Sequence, residues 1–314
     1  MHLYNLTLKK ASAVTSCVYG QFSDAGVQEV VVSRGKILEL FRQDDDTRKL
    51  VSITSIEVFG YVRKLVTSRL PGANKDHLVV SSDSGKVSVL EFNKAQGKFV
   101  VLQCETFGKT GIRRITPGEY LAADIKGRAI MIGAVEKQKF VYVFNRDAAA
   151  RLTISSPLEA HRSQTINFDI VAVDVGFDNP QFACLEVDYT PVDEDPVGEA
   201  AAGIPKTLAF YELDLGLNHV VRKSSEEVSP TANLLITVPG GDAGPSGVLV
   251  CAENKISCAA QQYVPVEPAC PICCFDFSFA ATISLAMPTM FSPSSLVAWA
   301  RTLTLPSSSP APSR

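Results

Sequence analysis

Short apolar runs separated by polar turns make up most of the chain up to residue 258. In three places a β-branched or Leu-rich run meets a polar turn ending in Gly, and a second apolar run leads away. Two apolar runs joined by a Gly-containing turn are typical of a β-hairpin. The predicted hairpins are 31–41, 77–92 and 119–135, with turn glycines Gly35, Gly85 and Gly127.

The hairpins recur with a loose period along the chain. The turn glycines are 50 and 42 residues apart, and later apolar runs continue the pattern less regularly. Units of about 40–50 residues with several short strands are typical of β-propeller blades, which stack around an axis because no blade can bury both its faces alone. A β-sandwich also has many short strands, but 258 residues is long for a single sandwich. We therefore predict an all-β fold, an incomplete β-propeller of about five WD40-like blades.

One segment interrupts the strand pattern. Residues 188–207 combine acidic side chains with Pro and Gly, a composition that cannot form a packed core. We interpret this segment as an exposed insertion between two strands. Runs of charge usually form solvated surface, and the alternative here is a binding site for a basic partner.

The composition of the chain changes near residue 258. The remainder is rich in Ser, Pro, Ala and Cys, and its only Lys, Arg, Asp or Glu residues are Glu267, Asp276, Arg301 and Arg314. We predict a propeller region over 1–258 and a tail over 259–314 that is largely unstructured. A mispredicted exon, a read-through intron or a shifted reading frame would produce such a tail.

Charge and cysteine content narrow the classes of function. The net charge is −3 at pH 7 and the isoelectric point is about 5.9, so no overall basic field attracts nucleic acid. The start of the chain lacks an apolar core of secretory length, so we expect no signal peptide and a reducing compartment for the eight cysteines. The cysteines expected to be buried free thiols in apolar strands are Cys17, Cys104, Cys184 and Cys251.

Residue types used by Ser/His/acid hydrolases cluster in NRDAAARLTISSPLEAH, residues 145–161. Successive residues of a strand face opposite sides, so Ser155 and Ser156 cannot both point to one site. Neither serine lies in a G-x-S-x-G elbow, and the chain has only four histidines, His2, His77, His161 and His219. We predict a structural hairpin here instead of a catalytic centre. The hairpin consists of a strand over 139–145, a turn over 146–149 and a strand over 151–156.

Other candidate motifs each lack an essential part. Residues 238–247 are rich in Gly but have no Lys-Ser/Thr pair, so we predict a loop that joins two strands. CPICC, residues 270–274, follows Cys258, but adjacent cysteines rarely ligate one metal together. Residues 277–300 carry no charge, but two Pro and seven Ser/Thr residues argue against a membrane span. We therefore predict no catalytic, cofactor-binding or metal-binding residues.

Several segments resemble a known family of large propeller proteins. They are LYNLTL (3–8), EVVVSRGKILEL (29–40), SSDSGKV (81–87), NRDAAARLTISSPLEAH (145–161), VDVGFDNPQFACLE (173–186), TLAFYELDLGLNHVVRK (207–223) and LLITVPGGDAGPSGVLVCAEN (234–254). Up to about Ile256 the chain resembles the family that contains the large damaged-DNA-binding adaptor subunit, the large cleavage and polyadenylation specificity subunit and a subunit of splicing factor 3b. The near-literal matches point to the spliceosomal branch, and the resemblance stops after Ile256.

The resemblance implies a function as well as a fold. It implies most of the first propeller of a non-enzymatic, nuclear scaffold of pre-mRNA splicing. The implied partners are other splicing factor 3b proteins, including a helical-repeat subunit that engages branch-site RNA. Pre-mRNA and small nuclear RNA would be held only indirectly, with no cofactor, no small-molecule substrate and no membrane. Two alternatives stay open: an adaptor of a ubiquitin-ligase or damaged-DNA-binding complex, and a propeller hydrolase.

Overall fold

The computed structural model describes most of the chain up to Ala259. The described residues are 11–108, 118–133, 138–160, 164–174, 178–195, 197, 204–241, 246–259 and 275–276. Within these ranges the chain forms 21 β-strands and one single-turn helix. The all-β prediction is therefore confirmed.

The strands form five sheets in the order of the sequence. The first sheet contains β1 (Ser16–Gly20), β2 (Glu29–Arg34), β3 (Ile37–Gln43) and β4 (Leu50–Glu57). The second contains β5 (Val62–Ser68), β6 (His77–Ser82), β7 (Lys86–Asn93) and β8 (Lys98–Thr106). The third contains β9 (Tyr120–Ala123), β10 (Ala129–Gly133), β11 (Lys139–Arg146) and β12 (Leu152–Ile154), with β13 (Leu158–Glu159) also paired to β11.

The last two sheets follow the same plan. The fourth contains β14 (Thr165–Ala172), β15 (Gln181–Asp188), β16 (Lys206–Asp214) and β17 (His219–Val228), with helix α1 (Thr190–Asp193) between β15 and β16. The fifth contains β18 (Leu234–Val238), β19 (Gly247–Ala252), β20 (Lys255–Ala259) and β21 (Phe275–Asp276).

Each sheet is one blade of a propeller. Its strands pair antiparallel with their neighbours in sequence, and the first strands of successive sheets contact one another in the series β1, β5, β9, β14 and β18. These strands are therefore the inner strands around a common axis. Among the described residues, no contact of similar extent joins β18 back to β1. The prediction of an incomplete propeller with five blades is confirmed, and we number the blades 1 to 5.

The three predicted hairpin turns are present. Gly35 lies in the turn between β2 and β3, Gly85 between β6 and β7, and Gly127 between β9 and β10. All three have positive φ angles, of 68°, 80° and 67° respectively. Only Gly adopts this conformation without a steric penalty, which explains why these turns end in Gly.

The hydrophobic core lies between the blades, where four apolar clusters fill the four contacts between neighbours. All six residues of β6 are buried. Leu78 and Val80 pack in the cluster shared with blade 1, whereas Val79 packs in the cluster shared with blade 3. The period-2 alternation of a strand thus sends neighbouring side chains into two different cores. This is why the sequence shows continuous apolar runs in the middle strands.

The expectation for the cysteines is largely wrong. The four cysteines in question are free thiols, but only Cys184 is buried. Cys17 and Cys251 are half-buried, and Cys104 is exposed. Cys104 lies on β8, the outer strand of blade 2, which has a paired neighbour on one side only. An apolar run therefore does not bury each of its cysteines.

The acidic insertion lies where it was predicted. It connects β15 to β16, and its described part includes α1, whose residues are half-buried or exposed. The remainder, residues 196 and 198–203, lies outside the described residues.

Most predictions for the tail fall outside the described residues, including those for 270–274 and 277–300. Within 259–314 the structure describes Ala259, which ends β20, and β21, which pairs with β20. Among the described residues, no helix is both long and apolar enough to cross a membrane. The boundary at residue 258 stays a prediction.

The turn at Gly127 offers a test of how closely blades 2 and 3 approach. A Cβ atom at Gly127 would lie 2.0 Å from the carbonyl oxygen of Arg69. We expect Gly127→Ala to lower the free energy of unfolding by more than about 3 kcal/mol, measured by chemical denaturation. Gly72→Ala is the control, because Gly72 has a φ of +77° with open space around it. This control should lose only about 1–2 kcal/mol. Equal losses in the two variants would contradict the close approach.

Candidate functional site

The segment 145–161 forms the predicted hairpin. Strands β11 and β12 pair antiparallel, with Phe144 opposite Ile154. The carboxylate of Asp147 accepts hydrogen bonds from the backbone N–H groups of Ala149 and Arg151, both at 2.9 Å. These bonds and the Arg151 side chain lower the pKa of Asp147. Asp147, one of the two acidic residues in this segment, is therefore a turn-forming residue.

Ser155 is also used by the sheet. Its backbone N–H donates to the carbonyl of Val143, and its Oγ accepts from the N–H of Val143, both at 2.9 Å. The same hydroxyl donates to the carbonyl of Ser156 at 2.9 Å. These contacts bridge the break at Pro157, where β11 changes its partner from β12 to β13. His161 lies outside the described residues.

The two described histidines do not supply a catalytic base to a serine. His77 is buried at the start of β6, and its Nδ1 has no hydrogen-bond partner. Burial lowers the pKa of His77. His219 lies at the exposed start of β17. Among the described residues, neither histidine hydrogen-bonds to a serine or cysteine; His2 and His161 lie outside them.

The Gly-rich segment 238–247 is a loop that joins β18 to β19, as predicted. The N–H of Gly240 donates to Oδ2 of Asp174 at 3.0 Å, and Oγ of Ser246 donates to the carbonyl of Asp174 at 2.7 Å. The loop therefore binds a residue that follows the inner strand of blade 4. Residues 242–245 lie outside the described residues.

A buried ionic cluster that the sequence analysis missed joins blades 3 and 4. The side chains of Lys139 on β11 and Glu186 on β15 are fully buried, with Nζ and Oε2 2.9 Å apart. Arg222 on β17 contacts Oε1 of Glu186 at 2.9 Å. The hydroxyl of Tyr211 donates to Glu186 at 3.0 Å, and Nζ of Lys139 donates to Thr165. We call these five residues the Lys139 cluster.

The Lys139 cluster forms a structural contact between blades 3 and 4. Lysine, tyrosine and glutamate serve as proton-transfer groups in enzymes. Here each carboxylate oxygen of Glu186 is already bound by other members of the cluster. Burial and the adjacent carboxylate raise the pKa of Tyr211, which keeps its hydroxyl protonated and able to donate. Because a buried charge without a partner is costly, the cluster fixes how blade 4 sits against blade 3.

A sequence signal for the Lys139 cluster exists. Lys139 begins the apolar run KFVYVFN, and Glu186 lies within the apolar run FACLEVD. Charged residues are almost never fully buried unless they are paired, so a charge inside a buried strand indicates a partner. The partner itself cannot be chosen from the sequence, because many lysines and arginines are candidates.

The other contacts between blades also contain polar ties. Between blades 1 and 2, the N–H of Gln21 donates to the carboxylate of Asp76 at 2.8 Å. Between blades 2 and 3, Nε2 of Gln103 donates to the carbonyl of Leu152 at 2.6 Å. Between blades 4 and 5, the N–H of Leu235 donates to the carboxylate of Asp169 at 2.8 Å. Each of the four contacts thus combines an apolar cluster with at least one hydrogen bond across it.

The exposed surface has its own candidate site at the link between blades 1 and 2. Phe59 and Tyr61 flank Gly60 there, beside a shallow cavity of about 350 Å³. The lining residues are Lys36, Glu57, Val58, Phe59, Gly60, Tyr61, Asp83 and Ser84. We call this region the Phe59 surface. The hydrophobic pattern of the sequence does not indicate this surface, although two aromatic residues flank a Gly between two predicted hairpins.

Comparison with known proteins places the chain in a family. A sequence model described as the RSE1/DDB1/CPSF1 first β-propeller matches residues 13–303. The chain belongs to this family. The match extends to residue 303, beyond Ile256, after which the resemblance was expected to stop.

Relatives within the family carry splicing names. Splicing factor 3B subunit 3 of Danio rerio is 59% identical over 257 residues, which are 82% of this chain and 21% of the relative. Spliceosome-associated protein 130 A of Arabidopsis thaliana is 56% identical over 271 residues, 86% of this chain and 22% of the relative. Pre-mRNA-splicing factor RSE1 of Mycosarcoma maydis is 54% identical over 264 residues, 82% of this chain and 22% of the relative. The chain spans about a fifth of the length of these relatives.

The Lys139 cluster predicts a large loss of stability when its carboxylate is removed. Glu186→Gln leaves the buried ammonium of Lys139 without a counter-charge, so we expect the free energy of unfolding to fall by about 3–5 kcal/mol. The control is Lys94→Gln, which breaks the exposed pair with Asp24. Exposed pairs contribute little to stability, so this control should lose much less than Glu186→Gln. Chemical denaturation measures both, and a loss below 1 kcal/mol for Glu186→Gln would contradict the role of the cluster.

His77 predicts a dependence of stability on pH. The pKa of His77 in the folded chain lies below that in the unfolded chain, because burial opposes its charge. Stability is therefore complete above about pH 6.5 and falls as the pH drops from there towards the folded pKa, since the unfolded chain binds the proton first. Denaturation at several pH values should show a weaker dependence in this range for His77→Asn. His219→Asn, at an exposed position, should behave like the unchanged chain.

Proposed function

We propose that this chain is the first-propeller region of a non-enzymatic scaffold subunit of the splicing factor 3b complex, acting in the nucleus in pre-mRNA splicing. The observation that carries the proposal is the 49–59% identity to relatives named as splicing factors, over most of this chain. The matched residues make up only 21–22% of these relatives, so the activity of the whole protein is part of the proposal.

The chemistry of the described residues supports a scaffold. Asp147 and Ser155, in the segment with hydrolase residue types, are engaged in the turn and the sheet of blade 3. The buried ionic residues join two blades and have their partners within the cluster. In both places the side chains that could be reactive form contacts within the propeller, and these contacts make the propeller rigid. A rigid propeller presents its loops in a fixed arrangement, which suits a protein that holds several others.

The proposed partners are the other proteins of the splicing factor 3b complex, including its helical-repeat subunit. RNA would be held through these proteins, since the chain has a net charge of −3 and no overall basic field. The acidic insertion at 188–207 is an additional candidate contact for a basic partner.

Affinity purification of the tagged chain from nuclear extract tests the proposal. We expect splicing factor 3b proteins to be recovered, and the recovery to survive treatment with ribonuclease because the contacts are between proteins. Gly127→Ala, which disturbs the contact between blades 2 and 3, should lose these partners, and Gly72→Ala should keep them.

Two outcomes would contradict the proposal. Recovery of cullin-type proteins without spliceosomal proteins would favour an adaptor role on the same fold. Loss of every partner after ribonuclease treatment would indicate that RNA itself is the ligand.

A further inference from the structure

A small cavity lies between blades 3 and 4, at the opposite end of their contact from the Lys139 cluster. Lys139 begins β11, and Glu186 lies near the end of β15. The cavity lies between the turn that joins β9 to β10 and the start of β15. Its volume is about 10 Å³, which is close to the least space that holds one water molecule.

Polar side chains from both blades form most of the cavity wall. Blade 3 contributes Asp124, Lys126 and Arg128, and blade 4 contributes Asn179 and Gln181. Asp124 and Gln181 are buried, with exposed fractions of 4% and 6%. Apolar cavities stay dry, whereas a polar cavity can hold a water molecule that completes the hydrogen bonds of its wall. The wall of this cavity is of the polar kind.

The side-chain amide of Gln181 has one unpaired atom. Its Nε2 donates to Oε2 of Glu212 at 3.1 Å. Because a carboxylate only accepts hydrogen bonds, the amide must turn its NH₂ group towards Glu212 and its carbonyl oxygen away from it. This oxygen, Oε1, is buried and has no hydrogen-bond donor among the residues that the structure describes. Leaving a buried acceptor unpaired is unfavourable, so a donor is expected.

Two other polar residues of the wall are bound elsewhere. Arg128 donates through Nε and Nη2 to the two carboxylate oxygens of Asp124, at 2.8 and 3.1 Å. Nη1 of Arg128 reaches blade 4 and donates to the carbonyl of Asp178. Nδ2 of Asn179 donates to Oε1 of Glu212 at 3.1 Å. None of these bonds reaches the unpaired oxygen of the glutamine amide.

The charges around the cavity select a neutral occupant. A cation would lie beside the ammonium of Lys126 and the guanidinium of Arg128, and an anion would lie beside the carboxylate of Asp124 and the carbonyl oxygen of Gln181. Either ion would be repelled by part of the wall. Water is neutral and both donates and accepts hydrogen bonds, so it can pair with donors and acceptors of the same wall.

We propose that this cavity binds one water molecule, which donates to Oε1 of Gln181 on blade 4 and is held by the polar groups of the turn over 124–128 on blade 3. The contact between blades 3 and 4 is then ionic and dry at one end, where the Lys139 cluster lies, and mediated by water at the other. This inference goes beyond the proposed function and does not depend on it.

A crystal structure of the full 314-residue chain, at a resolution that shows ordered water, tests the site directly. We expect one water molecule at about 2.5–3.0 Å from Oε1 of Gln181, the distance of a hydrogen bond between two oxygens. Its second contact should be a polar group of the turn over 124–128. Magnetic relaxation dispersion of the solvent, which counts long-lived bound water molecules, gives a second measurement in solution.

Gln181→Met removes the acceptor and keeps a side chain of similar length. We expect this variant to bind one long-lived water molecule fewer than the unchanged chain, because the water loses the oxygen to which it donates. The control is Gln103→Met, which also removes an amide hydrogen bond between two blades but lies away from the cavity. This control should keep the full number. Circular dichroism melts check that both variants are folded.

Three results would overturn the inference. The crystal structure could show no water within hydrogen-bond distance of Oε1 of Gln181, or it could show a metal or halide ion at this position. Gln181→Met could also keep the same number of long-lived water molecules as the unchanged chain. If Gln181→Met does not fold, the crystal structure of the unchanged chain decides alone.

Discussion

The burial of a middle strand on both of its faces in each of blades 2, 3 and 4 is the constraint on which the rest of the structure depends. On β10, Ile130 and Ile132 pack towards blade 2, whereas Ala129 and Met131 pack towards blade 4. A sheet with two apolar faces cannot be stable alone in water, because one face would always be exposed. The radial stacking of blades removes this problem, since each blade covers its neighbour. Stability is thus shared between neighbours and does not belong to single blades.

Polar groups between the blades add direction to this stacking. Apolar contacts alone allow sliding, because the hydrophobic effect does not depend on orientation. The fully buried pair of Lys139 and Glu186 tolerates no such sliding, since a small displacement would leave two charges unpaired in a dry environment. The smaller ties at the other contacts act in the same way at lower cost. The propeller therefore combines a general driving force with a few specific positions that fix its geometry.

Much of the fold could be predicted from the sequence because its determinants are local. Gly85 ends a turn that needs a positive φ angle, and it lies between a continuously buried strand, β6, and a strand that begins with alternating burial, β7. The exposed position of Phe59 and the burial of Lys139 could not be predicted in this way. Both depend on which residues another blade brings near, and a strand pattern contains no information on that. Cys104 shows the same limit, because its exposure follows from its place on an outer strand.

The Lys139 cluster also has a consequence during synthesis of the chain. Glu186 follows Lys139 by 47 residues. At a translation rate of about 5–20 residues per second, the ribosome adds Glu186 roughly 2–9 seconds after Lys139. During this interval Lys139 stays hydrated, because burial without its partner would be too costly. The face of blade 3 that contains Lys139 therefore stays exposed to solvent until blade 4 has been synthesised. The direction of translation thus sets the order in which the blades pack together.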